Sequence, residues 1–424
     1  MIPQFDRYKE KWSVQSDDVI KPGLTAIQEA LSLVGNPEQK LRVVHIAGTN
    51  GKGSTLTFLE AISKEHGLRV GKFMSPCILD VHDQIQVASL PITTAEMDIV
   101  FEQMRKAGLS GKLTDFELLT VAAFLHFVNS HVDVALIETG MGGLLDSTNV
   151  VTPIVSIIPS IALEHTKFLG NTIASIAHHK AGIIKQNRPV IIGEMPQEAK
   201  AVVCEEARTQ KAPVLELGDQ FYIEPTTAGE KYTNDENGLT LTIPKRKMKG
   251  QHQANNMALA ITAFFEVASA LNLPVNLQSI VAGVQQATVL GRYEEVLPYI
   301  ILDGAHNPAS AEKLVATIRE DLPEESVTFV VGILADKDVK AVLCQLEQVS
   351  DCFYFVDIDN PRAMSAKEML QLSNAKEKYI LQDGIAFIEE QSRMHNKTIV
   401  SGSLYLLAEI RSALSSRNGN QPHT

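Results

Sequence analysis

Short apolar or β-branched runs recur along the first half of the chain, at 43–47, 69–74, 133–138, 154–158 and 189–193, with amphipathic stretches between several of them. That alternation predicts parallel strands joined by crossover helices, the signature of an α/β sheet. Between about 213 and 250 the pattern breaks into short polar and β-prone pieces punctuated by Gly218, Gly229, Gly238 and Gly250, which predicts a small antiparallel appendage. A long helix is expected from Gln253 to Leu271, then a turn near Pro274 and a second helix to about Gln286. From Tyr299 the alternation resumes, with strands expected near 299–303, 327–332, 352–358, 378–381 and 398–401. The 288–298 segment, holding Gly291 and Pro298, is the expected boundary between a domain over 1–293 and a domain over 294–424. The polar tail from Ser415 is expected to fray.

Composition narrows the setting. The 424 residues, 45% of them hydrophobic, can furnish cores for two or three domains. The apolar runs are short and broken by charges, so no membrane span is expected. Met1 to Trp12 carries Asp6, Arg7, Lys9, Glu10 and Lys11 without an apolar segment, which argues against a secretory leader and for a cytoplasmic location. Cys77, Cys204, Cys344 and Cys352 form no C-x-x-C pair, so neither a disulfide framework nor a zinc site is indicated. A net charge of −12 disfavours nucleic acid as a partner.

The chemistry concentrates first in Val43 to Thr55, where an apolar strand runs into Gly48-Thr49-Asn50-Gly51-Lys52-Gly53-Ser54-Thr55. Glycines let the backbone turn its N–H groups inward, the following helix, expected from about Lys52 to His66, offers its positive end, and Lys52 can reach outer phosphates. Ser54 or Thr55 offers a hydroxyl to magnesium. The spacing departs from G-x-x-x-x-G-K-[ST], since Ile46 replaces the first glycine and Gly53 separates Lys52 from Ser54.

Three further constellations accompany this loop. The run Val132 to Ile137 ends in Glu138, followed by Thr139-Gly140-Met141-Gly142-Gly143, and a carboxylate at the carboxyl end of a parallel strand is where open α/β sheets collect ligands. Glu164-His165 precedes a helix holding Lys180 and Lys185; on spacing alone His165 is more readily structural than ligating. In the second half, Gly291-Arg292 precedes Leu302-Asp303-Gly304-Ala305-His306-Asn307-Pro308, polar groups bunched at a strand end, with Asn307 also placed to cap a helix.

Taken in order, AGTNGKGS, IETGMGGLLDSTN, IALEHTKFLGNTIASIAHHKAGIIK, HQANNMALA, LDGAHNP, GILADKD and VSGSLYL resemble the folylpolyglutamate synthase and dihydrofolate synthase family, relatives of the Mur ligases, along nearly the whole chain. The resemblance implies an N-terminal P-loop-type mononucleotide-binding domain on a parallel sheet and a C-terminal Rossmann-like α/β domain. It implies an ATP-dependent amide ligase: a folate carboxylate is phosphorylated, and the amine of L-glutamate displaces phosphate. By the same resemblance Thr49, Asn50, Gly51, Lys52 and Gly53 cradle the ATP phosphates, and Ser54 lies near magnesium. Ser75 joins Glu138 and His165 around a second magnesium. Lys180 matches a lysine carried as a carbamate, and a monovalent cation is implied as well. Asn256, Arg292 and Asp303 hold ATP with His306 nearby, so Lys52, Lys180 and His306 are the expected catalytic groups. Thr114, Phe116 and Glu117, with Leu145, Asp146 and Ser147, match segments that contact the pteroate.

The chain departs from its relatives at Ser75-Pro76-Cys77-Ile78 and His82-Asp83, where many read S-P-H-L and then glutamate and arginine. That bears on whether dihydropteroate is a second acceptor. The expectation is a monomeric cytoplasmic ligase acting on reduced folate, L-glutamate and ATP. A Mur-type amino-acid ligase and a non-catalytic ATP-binding regulatory protein stay open as alternatives.

Overall fold

The computed structural model describes residues 4–17, 23–77, 80–236, 238–323 and 325–417. It divides into two compact units: 1–247 with 253–287, and 248–252 with 288–424.

The strands of the first unit are β1 (Val43–Ile46), β2 (Val70–Phe73), β3 (Ile85–Val87), β4 (Leu90–Pro91), β5 (Val134–Glu138), β6 (Val155–Ile158), β7 (Val190–Ile192) and β8 (Val214–Glu216). They form an eight-stranded sheet ordered β4-β3-β2-β5-β1-β6-β7-β8. All of it is parallel except the β3 and β4 edge. Every residue of β1, β5 and β6 is buried, which is why their sequences are continuous apolar runs instead of alternating ones. The β3–β4 hairpin edge was not anticipated. Nor was β8: it pairs in parallel with β7, so the appendage begins later than position 213 and consists of β9 (Phe221–Thr226), β10 (Gly229–Asn234) and β11 (Leu239–Ile243), ordered β11-β10-β9.

The helix Lys52–Glu65 follows β1 directly and carries the helix Leu277–Gln286 against it. A Cβ at Gly283 would stand 2.7 Å from the Ile62 backbone, so this contact requires a residue without one. The helix Gln251–Leu271 is long and apolar enough to cross a membrane, yet 67% of its most apolar window is buried inside the protein, as in a core helix. Phe5, Tyr8, Phe73, Phe101, Phe124 and Phe127 join one apolar cluster that draws the helices Phe5–Trp12, Thr94–Lys106 and Asp115–Asn129 onto the sheet.

The second unit holds β12 (Glu294–Leu297), β13 (Ile300–Asp303), β14 (Thr328–Val331), β15 (Cys352–Phe355), β16 (Glu377–Ile380) and β17 (Thr398–Ser401) in the order β12-β13-β17-β14-β15-β16. Only β12 is antiparallel; it lies inside the segment read as a boundary. Successive strand residues enter two different cores: Ile301, Phe329 and Ile399 one, Leu302, Val330 and Val400 the other. This is the period of two expected for a sheet covered on both faces. The helix Leu404–Arg417 continues through Ser415, where fraying was expected, and 418–424 lie outside the described residues.

Candidate active site

The parallel register brings the chemistry together at one sheet edge. Ile46 at the end of β1 pairs with Glu138 at the end of β5, and Phe73 of β2 pairs with Ile137. Thus the glycine-rich turn after Ile46, the carboxylate of Glu138, and the Met74-Ser75-Pro76 segment with its cis Ser75–Pro76 bond all leave the sheet at its carboxyl edge.

The turn is held on a second segment, Pro159 to Ala162, which follows β6. Thr49 N–H donates to Ser160 O at 2.9 Å, while the Ser160 hydroxyl accepts from Asn50 N at 3.1 Å and donates to Asn50 O at 3.0 Å. The Thr49 hydroxyl donates to Ala162 O at 3.1 Å and accepts from Ala162 N at 3.0 Å. Gly51 has φ +88°, and a Cβ there would sit 2.5 Å from Asn256 Oδ1, so both conformation and space demand glycine. Asn256 is buried, accepts from the Thr55 hydroxyl at 3.5 Å and donates to Gln253 at 3.0 Å, which sets it against this turn.

Lys52 opens the helix. Its Nζ donates to Gly48 O at 2.8 Å and to Thr49 O at 3.4 Å and lies 3.7 Å from Glu138 Oε1. Glu138 and Ser54 are buried, and the Glu138 Oε2 lies 3.9 Å from where a Cβ of Gly53 would be. A hydroxyl and a carboxylate are hard oxygen donors of the kind magnesium takes when it also keeps water and binds substrate phosphates, so this donor set fits the ion. Among the described residues no group of three or more His, Cys, Asp or Glu gathers as an all-protein metal cage.

Lys180 lies deeper, 1% exposed, with Nζ 2.5 Å from Glu164 Oε1. Burial would raise the Glu164 carboxyl, but the charges of Lys180 and then Lys52 outweigh it and bring it down to about 2. Burial, aided by Lys52 and opposed by Glu164, brings the Lys180 amine down to about 8. Lys52, Glu164 and Lys180 are therefore one electrostatic cluster beside Glu138. His165 has φ 48°, a left-handed backbone that a non-glycine residue adopts at a cost and that collects at functional sites.

The expected acceptor residues have structural work of their own. Thr114 and Glu117 form a reciprocal cap on the helix Asp115–Asn129, each accepting a backbone N–H of the other. Phe116 stacks on Phe73 at 5.8 Å and leaves no room for a Cβ at Gly140, the nearest ring carbon being 2.5 Å away. Leu145 is half exposed, and the Ser147 hydroxyl shares a hydrogen bond with Thr120 at 2.8 Å. Asp146 accepts from Met141 N at 2.9 Å and from the Thr148 hydroxyl at 2.6 Å; its burial pushes the carboxyl up. Ile78 lies outside the described residues.

In the second unit, Asp303 closes β13 and accepts from Tyr293 N and Ala305 N, both at 2.9 Å. Its burial raises the carboxyl, opposed by the charge of Arg292. A Cβ at Gly304 would stand 2.8 Å from Arg292 Nη1, so the guanidinium lies along this turn. His306 Nδ1 is 2.8 Å from Gly304 O, and Asn307 caps the helix Pro308–Asp321 reciprocally with Ser310.

Sequence reasoning missed Ser160, which straps the turn, and Thr148 with His45, which stand behind Asp146. His45 Nε2 meets the Thr148 hydroxyl at 2.9 Å, and burial, with the Lys185 charge, brings the imidazole down to about 3. The unfolded chain, with an ordinary histidine near 6.5, takes up this proton first. His45 thus favours folding fully above about pH 6.5 and loses that contribution as the pH falls toward 3. Between pH 6.5 and 5 the loss attributable to His45 is expected to be about 2 kcal/mol. Urea unfolding of the natural protein and of His45→Gln at both pH values checks this; equal losses in the two proteins would contradict it.

The comparisons with known proteins agree with this geometry. The Mur ligase middle domain model matches residues 46–264, and the dihydrofolate synthetase C-terminal domain model matches 292–414. The chain is 35% identical to the dihydrofolate synthase/folylpolyglutamate synthase of Bacillus subtilis, covering 93% of this chain and 95% of that protein. It is 32% identical to the folylpolyglutamate synthase of Lacticaseibacillus casei, covering 91% and 92%. Among solved structures, Escherichia coli FolC in complex with DHPP and ADP superposes with a TM-score of 0.88 at 27% identity over 98% of both chains. Folylpolyglutamate synthase of Thermotoga maritima superposes at 0.82 with 30% identity over 94% of both. With two family models in series and relatives matched over nearly their whole length, the chain belongs to the folylpolyglutamate synthase and dihydrofolate synthase family, a branch of the Mur ligases.

Proposed function

We propose that this protein joins L-glutamate to the γ-carboxylate of a reduced folate at the expense of ATP. The observation that carries the reading is the buried cluster of Lys52, Glu138, Glu164 and Lys180 at the sheet edge beside a strapped glycine-rich turn. A carboxylate is inert toward amines at neutral pH and must first acquire a leaving group. A carboxylate oxygen attacks the γ-phosphorus and ADP departs; the glutamate amine then attacks the acyl carbon, phosphate leaves with the bonding pair, and the amine gives up a proton. Phosphoryl transfer of this kind rests on positioning and charge neutralisation. Lys52 and the turn Thr49 to Gly53, whose Thr49 and Asn50 N–H groups are fastened to Ser160, hold the phosphates; Asn256 of the first unit and, in the second, Arg292, Asp303 and His306 are the further ATP residues of this reading. Arg292 offers a planar fork for phosphate oxygens, and Asp303 accepts from ribose hydroxyls. Glu138, Ser54, Ser75 and His165 would hold magnesium, which when bound neutralises charge on the transferred group. Thr114, Phe116, Glu117, Leu145, Asp146 and Ser147 face the pteroate. The reading includes a carbamate on Lys180, a monovalent cation, and a monomer working in the cytoplasm without nucleic acid or membrane. Relatives that carry both names favour dihydrofolate synthesis as a second activity.

The test is ADP release with ATP, magnesium and L-glutamate, offering dihydropteroate or tetrahydrofolate, with product masses. Turnover of tetrahydrofolate with a gain of one glutamate is expected; ADP release with neither acceptor would sink the ligase reading, and turnover of both would establish the second activity.

A further inference from the structure

The helix Phe5–Trp12 plays no part in the chemistry above, yet it is tied to both segments that flank the acceptor side. Phe5 and Tyr8 are buried against Phe101, with ring centroids 5.6 and 5.5 Å away, so the helix is seated in the core. From that seat the Tyr8 hydroxyl reaches His82 Nε2 at 2.7 Å, and His82 Nδ1 lies 2.8 Å from Asp80 Oδ1. With Nδ1–H donated to the carboxylate, Nε2 is the acceptor for the Tyr8 O–H. Gln4 adds a bond to the other Asp80 oxygen at 2.9 Å, and Asp80 itself caps the turn Val81–Gln84. This turn leads into Gln84, whose side chain donates to Met74 O at 3.3 Å and whose carbonyl accepts from Met74 N at 3.0 Å. Met74 precedes Ser75. From the next residue of the same helix, Lys9 Nζ donates to Asp115 Oδ1 at 2.7 Å and to the Ser16 hydroxyl at 3.0 Å. Asp115 stands between Thr114 and Phe116 in the first turn of its helix. Asp17 N–H extends the tie to Leu113 O at 2.7 Å.

We propose that the helix Phe5–Trp12 is a clamp that positions the acceptor side of the site, with Tyr8, acting through His82 and Asp80, and Lys9, acting through Asp115, as positioning residues for the folate. The inference rests on the assignment of the segments around Ser75 and Phe116 to the acceptor. His82, in the His82-Asp83 pair where the chain departs from its relatives, is the middle link of the clamp. The Lys9 arm ends on the acceptor segment at Asp115, whereas the Tyr8 arm ends on Met74, next to Ser75 and beside Gly53, so the loss of Lys9 is the one that acts on the acceptor alone.

Tyr8→Phe keeps the buried ring and removes the hydroxyl, and Lys9→Met keeps the stem and removes the charge. Each is expected to raise the KM for tetrahydrofolate about tenfold, the scale of one hydrogen bond lost, while in Lys9→Met the KM for ATP stays within twofold. Lys9→Arg restores the acceptor KM. Amide hydrogen exchange over 80–87 is expected to accelerate in Tyr8→Phe, a readout independent of turnover. An unchanged acceptor KM in the Tyr8→Phe/Lys9→Met double variant, or equal increases for all three substrates, overturns the clamp. Failure of the natural protein to turn over tetrahydrofolate overturns the acceptor assignment, and the inference with it, and is distinguished by needing no variant.

Discussion

Lys52→Ala is expected to lower kcat several hundredfold while the protein remains folded. The lysine is the one cation placed at the start of the helix Lys52–Glu65, and its Nζ already points back along its own turn to Gly48 O at 2.8 Å. Removing one preorganised charge from a site where charge develops costs about 3–4 kcal/mol, a factor of hundreds. The loss should fall on kcat and on the KM for ATP, leaving the acceptor KM nearly unchanged, because the acceptor segments are held by other contacts. The fold should survive, since the turn is fastened by Ser160 and Thr49 through bonds that Lys52 does not make. Circular dichroism and steady-state kinetics check both halves; turnover within tenfold of the natural protein would remove Lys52 from the phosphate site.

Lys180→Ala is expected to reduce turnover at least hundredfold, and short carboxylates or bicarbonate to restore part of it. Carbamate formation joins the amine nitrogen to the carbon of carbon dioxide and releases one proton, so it needs the neutral amine. Burial brings the Lys180 amine down to about 8, which supplies that form near neutral pH, and more of it as pH rises. The natural protein should therefore lose activity in carbon dioxide-depleted buffer, more completely at pH 6.5 than at pH 8. Alanine also leaves Glu164 buried beside no cation from Lys180, which destabilises by about 3–5 kcal/mol. Lys180→Ala/Glu164→Gln removes that penalty and keeps the space a carboxylate would enter, so a folded protein with lost, carboxylate-rescuable activity isolates the chemistry. Full activity in Lys180→Ala would return Lys180 to a structural role.

The central strands were legible because burial on both sides leaves them as uninterrupted apolar runs; β1, β5 and β6 end within a residue or two of where the runs do. Apart from the three-residue β3, too short to show a pattern, the missed strands sit at edges, where that pressure is absent: β4 is exposed along its length, and β12 begins with Glu294-Glu295, which reads as loop. β8 carries three residues of which one is buried, too little pattern to separate from the appendage that follows. The glycine-rich turn was legible as chemistry because its parts are consecutive. Ser160, Tyr8 and the His45–Thr148 pair bond across dozens to more than a hundred positions, and a single sequence carries no sign of such pairing. His165 shows the middle case, a residue whose local context is ambiguous and whose weight came from likeness to a family.

The segment 248–252 belongs with the second unit, although residues of the first stand on both sides of it. Lys249 pairs with Asp321 at 2.8 Å, and Gly250, at φ +92°, lies where a Cβ would meet the Thr317 hydroxyl at 2.3 Å. The chain therefore passes from one unit to the other at 247/248, 252/253 and 287/288. No single cut yields two intact halves: a fragment starting at 288 lacks the buried Met248 and its neighbours. A graft of the C-terminal unit onto another ligase would therefore have to supply residues 248–252 at an internal position of the recipient's sequence as well as the segment from 288.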